Sequence, residues 1–443
     1  MATDAAEEEV REPLSDMAKM ALRANPITTL TFQTVPAGQG QGRAVERTLR
    51  QRLAAMVAAS PWLAGHIDAE RAELVYRPTP PAPADIHHRM FHASGEEEPS
   101  IDRSASLDEM TPALRPHLAS TLGMGDSCVK LAWLATQESG RFVLVFSVSH
   151  VLADGSTYYS LLDMLSGASP VRALAAPTND PAVFARIAEA YSNKVTGIFA
   201  QKAFLLNLLL GKMRGWLVNK RAQPKSWLAS VPFLRLPPEQ RSTIRYSYVS
   251  ETYVAEKKAE AEGEVPWVST NDVLSSWFMK AFDASLMAIN FRNRIEGCHE
   301  NMAGNFQGLI SFVGEADAGR PALVRKALLG NRFRRVSDPA DPLGDAELVE
   351  LPEGPGVLGK GLSICSNWAT FQKPSKLPGR AELHIPFRDA DRGGTFMRNN
   401  LHRHICIIFR ANERLAVALI GFPAVLDRLD GSALAEPLDV RAH

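Results

Sequence analysis

His150 and Asp154 stand four residues apart in VLVFSVSHVLADG, residues 143–155, where an apolar run ends in a histidine, three filler residues, an aspartate and a glycine. An imidazole that titrates near neutrality can take a proton from a hydroxyl or amine and return it within one turnover, which makes His150 a candidate general base and acid. The carboxylate has two roles open to it. It can orient the imidazole, as the acid of a triad does, or it can turn away and hold the loop by pairing with an arginine, and the spacing fits both. Gly155 is expected to supply the unusual backbone angle that a strand-to-helix reversal demands.

A reacting histidine needs a rigid seat, and the flanking sequence predicts one. RFVLVFSVS is almost continuously apolar, as expected of a strand buried on both faces, and the turn QESG joins it to a second strand, VKLAWLAT. Beyond Gly155, Tyr158, Leu161, Leu162 and Leu165 recur at helical spacing, so the histidine and aspartate lie on a strand-to-helix turn. Upstream, Val45, Leu49, Leu53, Met56 and Val57 predict a helix that stops at Ser60-Pro61. ELVYR reads as a short strand, and the Pro- and His-rich stretch from 78 to 92 reads as a loop. In the second half TIRYSYVSETYV reads as a strand, and Ser269, Thr270 or Asn271 can cap a helix carrying Val273, Leu274, Trp277 and Phe278. ICIIF, RANE and LAVALIGF form an expected antiparallel hairpin. The expected organisation is a first lobe over 1–165, a proline-rich crossover over 166–240 and a second lobe over 241–443.

Composition narrows the chemistry. A chain of 443 residues with 45% hydrophobic content has ample core for two domains, and 49 basic against 49 acidic residues leave no global positive field for nucleic acid. The cysteines at 128, 298, 365 and 406 form no ligand-spaced pair, which argues against a disulfide framework and for a reducing, cytoplasmic setting. The amino terminus, MATDAAEEEVREPL, is acidic and has no secretory pattern. From Lys194 to Arg221 the longest uncharged run, Ala203 to Gly211, is too short to span a bilayer, which takes roughly 20 apolar residues. Its basic and apolar residues suit either a peripheral membrane contact or a helix packed on the protein. His87, His88, His402 and His404 lack accompanying ligands, so no metal is expected. No Walker, GxGxxG or GxSxG sequence is present.

SHVLADG resembles the HxxxDG signature of BAHD-type acyl-CoA-dependent acyltransferases, relatives of chloramphenicol acetyltransferase and of peptide-synthetase condensation domains. Four further stretches are similar to the family's and follow its order: SPWLAGHI, VSTNDVLSSWFMKAF, NFRNR for DxRxR, and AGNFQG. Two departures point to a divergent branch. Asn290 stands where the family has the first acidic residue of DxRxR, and SNWATF continues as QKPSKLPGRAELHIPF without a DFGWG loop.

The resemblance implies an α/β fold of two chloramphenicol-acetyltransferase-like lobes, each a mixed sheet flanked by helices, with an active-site channel at their interface. It implies acyl-CoA as co-substrate, no permanently bound cofactor, and transfer of a short acyl group such as acetyl to a hydroxyl, or less favourably an amine, of a hydrophobic small molecule. His150 would be the general base and Asp154 a structural partner of Arg292 or Arg294. Asn305, Ser366, Asn367 and Trp368 are candidates for stabilising the oxyanion. Arg325, Lys326 and Arg332, with Arg334 and Arg335, supply the densest positive charge for CoA phosphates, or else form a solvated helix face. The expected state is a cytoplasmic monomer. Two alternatives stand beside this one: a membrane-associated wax-ester or diacylglycerol-type acyltransferase using 194–221, and a catalytically silent condensation-like binding module.

Overall fold

The computed structural model describes residues 9–22, 24–36, 40–94, 101–120, 127–177, 180–191, 243–282, 284–329, 362–389 and 402–442. Segment 194–221, most of the expected crossover, and Arg332, Arg334 and Arg335 lie outside the described residues.

The first half runs β1 (Val10–Pro13), α1 (Asp16–Ala21), β2 (Ile27–Thr34), α2 (Gln41–Ala59), β3 (His66–Asp68), β4 (Glu73–Tyr76), α3 (Pro83–Met90), β5 (Phe91–Ser94), α4 (Leu107–Leu114), β6 (Val129–Ala135), β7 (Arg141–Val148) and α5 (Gly155–Leu165). The second contributes strands β8 (Thr243–Val249), β9 (Ala284–Asn290), β10 (Gln307–Val313), β11 (Leu362–Asn367), β12 (Arg380–Phe387), β13 (His402–Ala411), β14 (Arg414–Gly421) and β15 (Leu434–Pro437), with helices including Glu251–Glu260, Thr270–Met279 and Pro321–Leu328.

β7 shows why its sequence is apolar throughout. Side chains alternate across a strand, and both faces of this one are covered. Phe142, Leu144, Phe146 and Val148 join the helix-side core with Leu49, Leu53, Met56 and Trp133, while Val143 and Val145 face the other way. There they meet Leu30 and Phe32 of β2 and Tyr246, Phe409, Ala416 and Ile420 of the second lobe's sheet. Each Val, Leu, Ile or Phe fully buried in this way contributes about 1.5–3 kcal/mol. The one polar side chain on this strand beyond Arg141, Ser147, is matched by Thr28, its direct neighbour on β2, with their hydroxyls 2.8 Å apart.

The five-stranded sheet of the first lobe has the order β12-β2-β7-β6-β5, and the seven-stranded sheet of the second has β10-β9-β11-β13-β14-β8-β15. Sheet membership therefore departs from the linear division of the chain at one place. β12, from the second half, crosses back and pairs antiparallel with β2. Tyr246 of β8 reinforces the join by donating its hydroxyl to the Pro386 carbonyl at 2.6 Å. The mixed two-lobe architecture expected from the sequence is present.

Three local expectations need correction. The stretch read as a loop contains α3, because Pro83 occupies the first turn, where its missing N–H costs nothing, and Ile86 and Met90 fall one turn apart on a buried face. TIRYSYVSETYV is a strand only to Val249. Ser250 then caps a helix by accepting from the Tyr253 N–H at 3.2 Å. Gly155 is the first residue of α5 and its φ is not positive, so the expected unusual backbone angle is absent there.

Candidate active site

β7 ends at Val148, and the turn Ser149–Ala153 carries His150 to the boundary between the lobes. The turn is stiff. The Leu152 N–H donates to the Ser149 carbonyl at 3.0 Å, and the Asn305 side-chain amide donates from the second lobe to the carbonyls of His150 (2.8 Å) and Val151 (3.1 Å). His150 itself is partly exposed and lines a cavity of about 280 Å³. Its Nδ1 is buried without a hydrogen-bond partner among the described residues, which leaves Nε2 as the ring nitrogen open to the cavity.

Asp154 points elsewhere. One carboxylate oxygen caps α5 by accepting from the Thr157 N–H at 2.9 Å. The other accepts from Arg292 Nη1 at 2.7 Å and from the Phe306 N–H at 3.0 Å, and both members of this ion pair are 2% exposed. Arg292 also donates to the carbonyls of Met302 and Gly304 and to the Thr157 hydroxyl. The Asn290 side-chain oxygen also accepts from Arg292 Nη1, at 3.1 Å. Of the two arginines weighed for this pairing, Arg292 makes it; Arg294 is exposed. The Gly304 backbone, with φ of 127°, lies in a region that glycine tolerates, and its carbonyl accepts from the Asp154 N–H as well.

Gly155 lies beside the aromatic pair Trp368 and Phe371. A Cβ there would sit 3.4 Å from the Trp368 indole and 3.6 Å from Phe371, at ordinary van der Waals contact. Trp368 is pinned in turn, its backbone N–H donating to the Ile408 carbonyl at 2.8 Å.

The four oxyanion candidates separate. Asn305 lines the cavity, but its amide hydrogens are committed to the two carbonyls of the His150 turn. Asn367 forms a local turn by accepting from the Ala369 N–H, and it does not line the cavity. Ser366 and Trp368 line the cavity together with His150. The indole Nε1 donates to the Ser366 hydroxyl at 3.2 Å, so the serine oxygen is held as an acceptor beside the cavity and its own O–H is not used in that bond.

The candidates for CoA phosphates fare differently. Arg325 is nearly buried. It donates through Nε to Asp272 at 2.8 Å and through Nη2 to Ser269 at 2.9 Å, and it stacks 3.6 Å over the Trp267 ring. These contacts tie its helix to the capping box of Thr270–Met279, an occupation that sequence clustering does not reveal. Lys326 is partly buried on the same helix, and Arg332 lies outside the described residues.

A second cavity, of about 520 Å³, opens further along α5 and is lined by Gln33, Leu162, Gln372, Arg380, His384 and Arg410 among others. Tyr159 stands between the two cavities, in ring contact with Trp368 on one side and hydrogen-bonded to His384 on the other. Residues that sequence reasoning did not single out also line the first cavity: Asn25, Thr28, Gln307 and Arg388. Among the described residues no cluster of three metal-ligating side chains occurs, the four cysteines are free and buried, and no helix is long and apolar enough to cross a membrane.

No family model and no curated protein matches the sequence. Solved structures do match its fold. TRI101 of F. graminearum, crystallised with coenzyme A and deoxynivalenol, is 14% identical and superposes with a TM-score of 0.55 over 95% of this chain and 96% of that one. Vinorine synthase is 12% identical, with a TM-score of 0.57 over 97% and 94%. The first condensation domain of the CDA synthetase is 15% identical, with a TM-score of 0.53 over 97% and 98%. The fold is thus the two-lobed one that these proteins share.

Proposed function

We propose that this protein transfers an acyl group from acyl-CoA to a hydroxyl of a hydrophobic small molecule, with His150 as general base. The observation that carries the reading is the division of labour at the turn: Asp154 is held by Arg292 on the far side, while the imidazole Nε2 is left open to a mostly apolar cavity between the lobes.

In the proposed reaction Nε2 takes the hydroxyl proton as the acceptor oxygen attacks the thioester carbonyl. The tetrahedral intermediate then collapses, the carbon–sulfur bond breaks, and the imidazolium protonates the departing thiolate. The Ser366 hydroxyl, steadied by the Trp368 indole, is the donor best placed for the oxyanion. A donor in that role is worth about 3 kcal/mol in the transition state. Cavities on either side of Tyr159 and Trp368 suit a donor side and an acceptor side. CoA acts as co-substrate, and the chemistry calls for no metal.

The likeness of TRI101 and vinorine synthase supports the class of reaction. The likeness of the condensation domain supports a second reading, a binding module that keeps the fold without turnover. Incubating the purified protein with acetyl-CoA and a cell extract separates them. Acyl transfer predicts a metabolite that gains the acetyl mass, whereas the absence of any acylated product with acetyl, longer-chain or branched donors would favour the silent module.

A further inference from the structure

The cavity that holds His150 is mostly apolar, yet one arginine is among the described residues that line it: Arg388, partly buried just beyond the end of β12. Its neighbour Asp389 is not its counter-ion. That carboxylate accepts from Arg115 through both Nε, at 2.6 Å, and Nη2, at 3.1 Å. Among the described residues, the side chain that hydrogen-bonds Arg388 is neutral: Asn25, with its amide oxygen turned toward the guanidinium, accepts from Nε at 2.5 Å and Nη2 at 3.2 Å. No carboxylate among the described residues pairs with it. Burial pushes its pKa down to about 10, so it remains a full cation at neutral pH. A cation withdrawn from water without an anion is costly, and a planar fork of N–H donors fits a carboxylate best.

Its place relative to His150 follows from strand register. Phe387 lies opposite Thr28, and Thr28 lies opposite Ser147, so the backbones of β12 and β7 are two strand spacings apart, about 10 Å. His150 follows Ser147 by three residues, at the same end of the sheet as Arg388.

We propose that Arg388 binds a carboxylate of the acceptor, which makes the acceptor class an amphipathic hydroxy acid. Its apolar body fills the cavity, its hydroxyl meets His150, and its acid is held by the guanidinium fork. The proposal rests on the acyl-transfer reading of His150 and narrows it to a substrate class.

The test compares ω-hydroxydecanoate with its methyl ester as acceptors for the full-length protein, using acetyl-CoA. The wild type is expected to favour the acid in kcat/KM by about 10- to 100-fold, the size of one charge-assisted pair. Arg388→Gln brings that ratio toward one, and Arg388→Lys keeps part of it. Calorimetric binding of the hydroxy acid without donor, with Tm as the check on folding, reads the same site independently of turnover and is expected to be lost in Arg388→Gln. A wild-type ratio near one, or a ratio and a binding constant untouched by Arg388→Gln, overturns the proposal. If Arg388→Gln instead alters the preference for malonyl-CoA over acetyl-CoA, the carboxylate belongs to the donor and the acceptor assignment is wrong. Should neither acceptor be acylated while the hydroxy acid still binds through Arg388, the acyl-transfer reading fails and the carboxylate site stands.

Discussion

At the scale of single residues, Asn305 and His384 show how polar groups in the interior set behaviour. Asn305 spends both amide hydrogens on the carbonyls of His150 and Val151, so it positions the turn that carries His150. Asn305→Ala leaves those carbonyls unpaired, at a cost of about 1–3 kcal/mol. Asn305→Asp places carboxylate oxygens against carbonyl oxygens, so its kcat is expected to fall below that of the alanine variant, with KM for acyl-CoA changed less than kcat in both. His384 accepts or donates between the Thr31 and Tyr159 hydroxyls, at 2.8 and 3.1 Å, and burial pushes its pKa down to about 4. The unfolded chain protonates this imidazole near its ordinary value of about 6.5, before the folded chain does. Stability is therefore full above that value and declines as pH falls from about 6.5 toward 4, by about 3 kcal/mol from this group. Urea denaturation at pH 7, 6 and 5 is expected to show that decline, and His384→Gln to show a shallower one. His117, also pushed down to about 4 by burial, accounts for part of the slope that remains.

At the scale of elements, the turn between β7 and α5 is fastened to the second lobe by one buried ion pair and the backbone around Gly304. Removing one partner of such a pair leaves an uncompensated charge, so Asp154→Ala or Arg292→Ala is expected to cost about 3–5 kcal/mol by urea denaturation. The double variant is expected to cost clearly less than the sum of the two, because the residues share one network. Much of this element was legible beforehand. The continuous apolar run of β7 announced a strand covered on both faces, and its abrupt end located His150. An arginine partner in the NFRNR stretch was legible only through the family resemblance, since nothing in spacing connects residues 154 and 292. Long-range pairing set the limit elsewhere: the place of β12 beside β2 joins residues about 350 positions apart, and Arg388 reaches the cavity only because of it. Gly155 misled for a different reason. A glycine beside a turn normally signals backbone freedom, whereas this one opens α5 without a positive φ.

At the scale of the molecule, the two lobes share a core. Leu30, Phe32, Val143 and Val145 of one sheet pack against Tyr246, Phe409, Ala416 and Ile420 of the other, and β12 supplies the edge strand of the first lobe. The chain is expected to unfold in urea as one unit, with far-ultraviolet circular dichroism and tryptophan fluorescence giving coincident transitions; well-separated midpoints would mean that the lobes are independent. A site built between such lobes depends on both, and the proposed chemistry turns on one group within it, His150. The most direct measurement is the His150-dependent rate at which free thiol appears when the protein, acetyl-CoA and an acceptor with a free hydroxyl are mixed. His150→Ala, with an unchanged Tm, is predicted to lower kcat by 10² to 10⁴. A variant that folds normally and keeps the wild-type rate would contradict the assignment of His150 as the base.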